Sequence, residues 1–293
     1  MPYIKTDDDI NLYYEETGSG FPIVFVHEFA GDSRSYNPQV EYFGQFYRCI
    51  VYNARGYIPS DIPPNVNSYS QARAVEDIRC ILDGLGIEKS HIVGISMGGF
   101  ATLHFGMTYP ERAASLCIGG CGYGAEPESI DKFKLEVDTI ANFILTQGMD
   151  AFADKYAHGP TRIQLENKNP IGHATFKEML AEHSALGSAN TQKGVQKERP
   201  SLYSLVEKMK KISIPTLIMT GDEDWPCLQP ALLMKQNIKT AGLSILPNTG
   251  HTLNLENPAE YNQILGDFLL RVTCGRWNER DQRTISKSIM GMK

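Results

Sequence analysis

The stretch from Ser90 to Tyr109 constrains the fold of this chain more than any other part of its sequence. Residues 91–95 form a short apolar run with β-branched side chains, which is typical of a strand buried on both faces. From Met97 onward the apolar spacing lengthens and predicts a buried helix. The junction reads Gly94-Ile95-Ser96-Met97-Gly98, and its two glycines permit a sharp turn that exposes the serine hydroxyl at the helix N-terminus. The helix dipole and the free amides at this point favour an oxyanion beside Ser96.

Strand-like and helix-like patterns alternate on both sides of this junction. An opening hairpin is predicted within residues 2–17, and a helix that Ser70 can cap keeps a 3.6-residue period until Gly86. This alternation predicts an α/β fold, with a mostly parallel twisted sheet flanked by helices. The other apolar strands are predicted at residues 22–26, 48–52, 114–120, 214–220 and 243–246.

The alternation stops between residues 125 and 212. This stretch contains no strand-like run and several amphipathic ones, so we predict a helical cap insertion that covers one end of the sheet. Residues 1–124 and 213–270 would then form the core. The tail, residues 271–293, carries six basic and two acidic residues and is expected to be solvated or partly disordered, with a dimer or surface contact as the alternative.

Composition excludes several classes of function. A net charge of −6 argues against a nucleic-acid surface, and no apolar run approaches the roughly 18 residues that span a bilayer. The N-terminus lacks the basic flank and apolar core of a signal peptide. None of the six cysteines form a C-x-x-C pair, which favours reduced thiols in a core. We therefore expect a cytoplasmic protein with no nucleic-acid or membrane partner, no cofactor and no metal.

A serine hydroxyl is a poor nucleophile unless a base accepts its proton and a third group orients that base. His251 follows the strand predicted at 243–246, and parallel sheets bind ligands at the carboxyl ends of their strands, where Ser96 also lies. We therefore predict His251 as the base. The six other histidines lie in helix, strand, loop or insertion positions that suit a base less well: His27, His91, His104, His158, His173 and His183.

The orienting acid is expected to come from the strand between Ser96 and His251, because the order Ser, Asp or Glu, His is the one that this topology uses. Three carboxylates follow that strand, in Gly221-Asp222-Glu223-Asp224. Strand geometry alone leaves the choice among them open.

These motifs together resemble the α/β-hydrolase family, specifically its single-domain esterases, lactonases and C–C hydrolases. The resemblance covers about residues 10–270 through four separated motifs: the loop at His27, the turn at Ser96, the turn from Gly221 to Asp224, and Gly250-His251 before Asn257-Pro258. It implies that Asp224 is the acid, with Asp222 in reserve. It also implies that the backbone amides of Met97 and Phe29 form the oxyanion hole.

The chain departs from the family pattern in two places. Many relatives have His-Gly where this chain has His27-Glu28, and a carboxylate there would oppose an oxyanion if it pointed inward. We expect Glu28 to point outward, either ion-paired or solvated. In the second place, Ala54 stands before Arg55-Gly56 where relatives often carry aspartate, and Arg55 is expected to brace the loops.

The resemblance implies a serine hydrolase that cleaves a small-molecule ester, lactone or related acyl substrate through an acyl-enzyme. Phe29, Trp225 and Tyr36 are expected to line the substrate pocket, and a homodimer is possible. Other functions use the same fold. They are a C–C hydrolase or perhydrolase with the same triad, a receptor-like binding protein with little turnover, and an oxygenase that retains only the histidine–acid pair.

Overall fold

A mixed eight-stranded β-sheet runs through the described residues, which are 2–285 and 288–290 of a computed structural model. The spatial order of the strands is β1-β2-β4-β3-β5-β6-β7-β8. The first two strands pair antiparallel to each other, β2 pairs antiparallel to β4, and all other neighbours are parallel. The predicted fold class is therefore confirmed. The strands are β1 (Tyr3–Lys5), β2 (Asn11–Thr17), β3 (Pro22–Val26), β4 (Arg48–Tyr52), β5 (Ser90–Ile95), β6 (Ala113–Gly119), β7 (Thr216–Gly221) and β8 (Ala241–Leu246).

Helices cover both faces of the sheet. On one face α2 (Gln71–Gly84), α3 (Met97–Thr108) and α9 (Trp225–Asn237) share a large apolar cluster with the strands. On the other face α1 (Asn37–Phe43) and α11 (Pro258–Thr273) form a second cluster. All six residues of β5 are buried, as expected of a central strand with helices on both sides.

Between β6 and β7 the described chain is helical and contains no strand. We call residues 125–212 the helical insertion. Its apolar side chains form a third cluster that also includes Phe29, Tyr57 and Met97 of the sheet-bearing part. Leu202 and Met209, near its end, pack instead in the cluster of α2 and α3. The helices of the insertion are α4 (Ile130–Ala157, interrupted at Gly148), α5 (Ile163–Lys168), α6 (Pro170–Ala181), α7 (Ala185–Thr191) and α8 (Val206–Met209); the short α10 (Leu253–Glu256) follows β8.

The first part of the tail is docked on the molecule rather than solvated, which corrects the expectation from its charge. Helix α11 extends to Thr273, and the Trp277 ring then packs edge-to-face against Phe268 with 4.6 Å between ring centroids. The Trp277 indole donates to the Thr240 carbonyl at 2.8 Å, beside the edge strand β8. Tail residues 286, 287 and 291–293 lie outside the described residues.

No helix within the described residues combines the length and the apolar character that a bilayer crossing requires. All six cysteines are free thiols, and five of them are buried.

Arg55 braces the loop after β4 from a buried position. Its guanidinium donates to the Asp77 carboxylate at 2.7 and 2.9 Å and to Asp8 at 2.7 and 2.9 Å. Arg55 and Asp77 are 4% and 1% exposed, so the pair is shielded from water. Burial raises the pKa of Asp77, and the facing Arg55 opposes that rise.

Replacing Arg55 should destabilise the protein strongly, because Arg55→Met leaves the Asp77 carboxyl buried without its partner. We expect a loss of about 3–5 kcal/mol in the free energy of unfolding, measured by urea denaturation. Arg271→Met is the control, since its ion pair with Asp267 is more than half exposed and should change the same quantity by less than about 1 kcal/mol. Equal losses in the two variants would contradict a bracing role for Arg55.

Candidate active site

Ser96 occupies a strained turn between β5 and α3. Its φ of 55° and ψ of −116° lie in a region that side-chain-bearing residues rarely adopt. The turn forms because the chain passes very close to itself on both sides. A Cβ atom on Gly94 would lie 2.2 Å from the Gly98 carbonyl oxygen, and one on Gly98 would lie 2.0 Å from the Val26 carbonyl oxygen. Both glycines of the motif are therefore required by contact with backbone.

His251 reaches Ser96 from the loop after β8. Its Nε2 atom lies 2.9 Å from the Ser96 Oγ, and its Nδ1 atom lies 2.8 Å from the Asp224 Oδ2. Asp224 follows β7, so the three side chains come from the carboxyl ends of three strands. The structure therefore brings together, within hydrogen-bonding distance, the residues that the sequence nominated as nucleophile, base and acid.

Only one carboxylate of the turn after β7 contacts His251. Asp222 is exposed and accepts a hydrogen bond from the Thr249 amide at 3.1 Å. Glu223 accepts a hydrogen bond from the side chain of Gln164. Asp224 is 3% exposed and holds the imidazole, so it occupies the orienting position that strand geometry had left open.

Burial and charge act in opposite directions on this pair. Burial lowers the pKa of His251, but the negative charge of Asp224 and its hydrogen bond raise it, and the resulting pKa is above the ordinary 6.5. Burial likewise raises the pKa of Asp224, but the facing His251 lowers it, and the resulting pKa is below the ordinary value. An ionised Asp224 therefore stabilises the imidazolium that forms when His251 accepts a proton.

Glu256 holds the loop that carries His251, a role that the sequence did not indicate. Its buried carboxylate accepts the backbone amides of Gly250 at 2.6 Å and Thr252 at 2.9 Å, and also the Thr252 hydroxyl at 2.9 Å. These two amides flank His251, so the bonds fix the backbone on both sides of the imidazole. Glu256 is the last residue of the short α10, and its position only five residues after His251 was the available signal.

The loop after β3 is fixed by hydrogen bonds to its carbonyl groups. His27 Nδ1 donates to the Glu28 carbonyl at 2.7 Å, while its Nε2 accepts the Ala54 amide at 3.0 Å. Burial lowers the pKa of His27, which favours the neutral ring that this pattern requires. The Tyr57 hydroxyl donates to the Phe29 carbonyl at 2.9 Å.

The expectation that Glu28 points outward is wrong, although it is ion-paired, which was one of the two states expected of it. Its side chain is only 4% exposed and forms a 2.5 Å ion pair with Arg162 of the helical insertion. The sequence could suggest an ion pair but not an inward one, because the partner lies 134 positions away along the chain.

A cavity of about 560 Å³ opens at Ser96 and His251. Phe29 lines it, and Trp225 lies on its rim with 75% of its surface exposed. The prediction that Tyr36 lines the pocket is wrong. Tyr36 is buried in the cluster of α1 and α11, where its hydroxyl donates to the Val26 carbonyl at 3.1 Å. The insertion supplies most of the aromatic wall: Phe133, Phe143, Phe152 and Tyr156.

Arg199 of the insertion also lines this cavity and was not singled out from the sequence. Its guanidinium carbon lies 3.8 Å from the centroid of the Phe100 ring, and its Nη atoms donate to the Gln196 side chain and the Tyr123 carbonyl. In the described part of the chain no carboxylate lies within ion-pairing distance of it. Burial lowers the pKa of Arg199 to about 10.

Two groups among the described residues combine side chains of metal-ligating type. One is Asp224, Cys227 and His251, in which the aspartate and the histidine already hydrogen-bond each other. The other group lies in the insertion. It consists of His158, Glu166 and His173.

Comparisons with known proteins identify a family model, curated relatives and solved structures that are similar to this chain. A family model described as the alpha/beta hydrolase fold matches residues 22–258. A 3-oxoadipate enol-lactonase from Acinetobacter baylyi is 29% identical over 256 residues, covering 84% of this chain and 88% of the relative. A 2-hydroxy-6-oxo-6-phenylhexa-2,4-dienoate hydrolase from Burkholderia cepacia is 26% identical over 281 residues, covering 89% and 92%. The structure of a thermophilic esterase from Thermogutta terrifontis superposes with a TM-score of 0.81 at 25% identity, covering 92% of this chain and 98% of the other.

Replacing Asp224 should lower the pKa of His251. Asp224→Asn removes the negative charge that raises this pKa and leaves the burial that lowers it, so the imidazole should lose its proton at a lower pH than in the unmodified protein. NMR titration of the His251 ring signals measures this shift. Asp222→Asn is the matched control and should leave the titration unchanged, because Asp222 does not contact the ring. A shift only in the control would identify Asp222 as the acid.

Proposed function

The chain belongs to the α/β-hydrolase fold family, and from this we propose that it is a serine hydrolase that cleaves a carboxylic ester or lactone. The observation that carries the proposal is the continuous hydrogen-bond path from Ser96 through His251 to Asp224 at the floor of a cavity. This is the arrangement that activates a serine hydroxyl toward acyl carbon.

The proposed reaction has two halves. The Ser96 oxygen attacks the acyl carbonyl while His251 Nε2 takes the hydroxyl proton, and the tetrahedral intermediate collapses as His251 gives that proton to the leaving alcohol oxygen. Water then attacks the acyl-enzyme, His251 takes a proton from it, and the proton returns to Ser96 as the acid product leaves. Asp224 remains ionised throughout and stabilises the transient imidazolium.

Two backbone amides are proposed to bind the oxyanion. Met97 is the first residue of α3, and its amide, like that of Phe29, donates to no other group within residues 2–285 and 288–290. The peptide between Glu28 and Phe29 supports the second assignment. Its carbonyl is held by His27, and because a trans peptide directs its N–H opposite to its C=O, the Phe29 amide points away from His27. One such donor typically contributes about 3 kcal/mol to lowering the barrier.

The helical insertion is proposed to act as a cap that selects the substrate. Its aromatic side chains make the cavity mostly apolar, while Arg199 adds a positive charge with no acidic partner in the described chain. Guanidinium groups bind carboxylates strongly and with defined geometry. The oxoadipate and dienoate in the names of two relatives are carboxylates. We therefore propose a substrate that carries a carboxylate as well as its scissile acyl group.

A C–C bond hydrolase with the same triad is the second candidate. The similar hydrolase from Burkholderia cepacia is named for a 6-oxo-dienoate substrate, and the same cavity could hold such a chain. This candidate would be favoured if the protein cleaved a 2-hydroxy-6-oxo-dienoate faster than an ester of matched size. Perhydrolysis, binding with little turnover and oxygenase chemistry have no specific support in the structure. The cytoplasmic location, the homodimer and the lack of a nucleic-acid partner remain predictions.

Ser96 should be required for turnover. Ser96→Ala is expected to lower kcat for p-nitrophenyl esters by at least about 10⁴-fold, because it removes the hydroxyl that contacts His251 Nε2. Mass spectrometry should find a fluorophosphonate adduct on Ser96 in the unmodified protein and none in the variant. Ser204→Ala, which changes an exposed serine, should retain both turnover and adduct. A folded Ser96→Ala protein with undiminished turnover would contradict the proposal.

Arg199 should discriminate between charged and neutral substrates. Arg199→Met is expected to lower kcat/KM by about 10- to 100-fold for an ester with a terminal carboxylate, which is the effect of losing a charged hydrogen bond. The same variant should change kcat/KM by less than about threefold for the neutral methyl analogue of that ester. Lys155→Met removes an exposed cation of the cavity wall and should preserve the preference. Equal losses on both esters would show that Arg199 only supports the fold.

A further inference from the structure

The Glu28–Arg162 ion pair connects the helical insertion to the loop that carries the proposed Phe29 oxyanion donor. Glu28 is 4% exposed and Arg162 is fully buried, so water screens neither charge. The Arg162 Nη2 atom lies 2.5 Å from the Glu28 carboxylate and 3.2 Å from the Tyr156 hydroxyl. Its guanidinium carbon also lies 5.0 Å from the centroids of the Tyr156 and Phe176 rings.

Tyr156 connects this pair to Phe29, because its ring contacts both Arg162 and Phe29. The Phe29 ring packs against Phe152 and Tyr156 with centroid separations of 6.2 and 6.4 Å. Residue 28 is therefore held by the insertion through its carboxylate, and residue 29 is held by the insertion through its ring. Together with the hydrogen bonds to the Glu28 and Phe29 carbonyls, these contacts restrain the peptide whose amide is the proposed oxyanion donor.

The charge of Glu28 needs a partner at this position. A buried carboxylate is costly when unpaired, and one beside an oxyanion hole would also oppose the negative charge of the tetrahedral intermediate. Both members of the pair act on the catalytic base: Glu28 raises the pKa of His251, and Arg162 lowers it. Their effects on this pKa oppose each other, so each charge offsets part of the effect of the other.

We propose that Glu28 and Arg162 are a positioning pair, in which Arg162 fixes the loop of the Phe29 amide and cancels a buried negative charge that would otherwise oppose the oxyanion. This inference rests on the proposed function. It assigns to a residue of the insertion an effect on the chemical step, in addition to the shaping of the pocket.

Charge cancellation can be separated from simple support of the fold by a double-mutant cycle. Arg162→Met leaves the Glu28 carboxylate uncompensated, and kcat for a neutral p-nitrophenyl ester should fall by about 100-fold, comparable to loss of an oxyanion donor, with KM changed by less than threefold. Glu28→Gln removes the negative charge and keeps the side-chain shape, so kcat should fall by less than about tenfold. The double variant Glu28→Gln/Arg162→Met should regain at least about tenfold of the kcat lost in Arg162→Met.

The control is a second contact between the same loop region and the insertion. Arg34 pairs with Glu182 at 2.7 Å, and Glu182 is 58% exposed. Glu182→Gln should leave kcat and KM unchanged, because this pair lies outside the cavity wall. Thermal unfolding of every variant, followed by circular dichroism, establishes that turnover is measured on folded protein.

Failure of the inference can be distinguished from failure of the proposed function. If Ser96→Ala is inactive but the folded double variant turns over no faster than Arg162→Met, the positioning pair is refuted and the serine hydrolase stands. If Arg162→Met does not fold, the kcat values of the double variant and of Arg162→Lys test the inference instead. The double variant should retain kcat within about tenfold of the unmodified protein, and Arg162→Lys, which keeps the charge, within about fivefold. A folded double variant that is 100-fold slower overturns the inference.

Discussion

The hydrogen bond between Ser96 and His251 joins side chains that are 155 positions apart, and the rest of the site is arranged around it. The bond depends on the sheet, because β5, β6, β7 and β8 are consecutive parallel neighbours whose carboxyl ends lie at one edge. It depends equally on the strained backbone of Ser96, which directs the hydroxyl out of the turn. The core thus supplies both the energy that maintains this strain and the positions of the two partners.

The parts of the site that could be predicted from the sequence are those with a local physical signature. The glycines around Ser96 are dictated by backbone contacts within a few residues or across one strand, and the apolar runs identify buried strands. The choice of Asp224 needed the resemblance to a family, because three adjacent carboxylates offer the same chemistry. The error at Tyr36 has a related cause: a residue just after a loop can face either side of the sheet, and its sequence does not indicate which.

The contributions of the helical insertion could not be predicted, because a helical period specifies which face is apolar but not where the helix lies over the sheet. The partners of Arg162 and Arg199 depend on that placement. Both arginines come from a stretch with no recognisable motif, and each has a partner on a distant segment, Glu28 for Arg162 and Tyr123 for Arg199. The same limitation applies to the tail. Its basic composition predicted a solvated segment and did not indicate that Trp277 would dock beside β8.

The two arginines differ in how their charges are balanced. Arg162 faces the Glu28 carboxylate, and the pKa of its guanidinium is raised above its ordinary value although burial lowers it. Arg199 has aromatic rings and neutral oxygens around it, and burial lowers its pKa to about 10. A cation that is partly removed from water without a counter-charge costs stability, so stability alone gives no reason to keep the half-buried Arg199 at the cavity wall. A carboxylate on the proposed substrate would provide the missing counter-charge, so the proposal assigns Arg162 to the architecture of the site and Arg199 to its specificity.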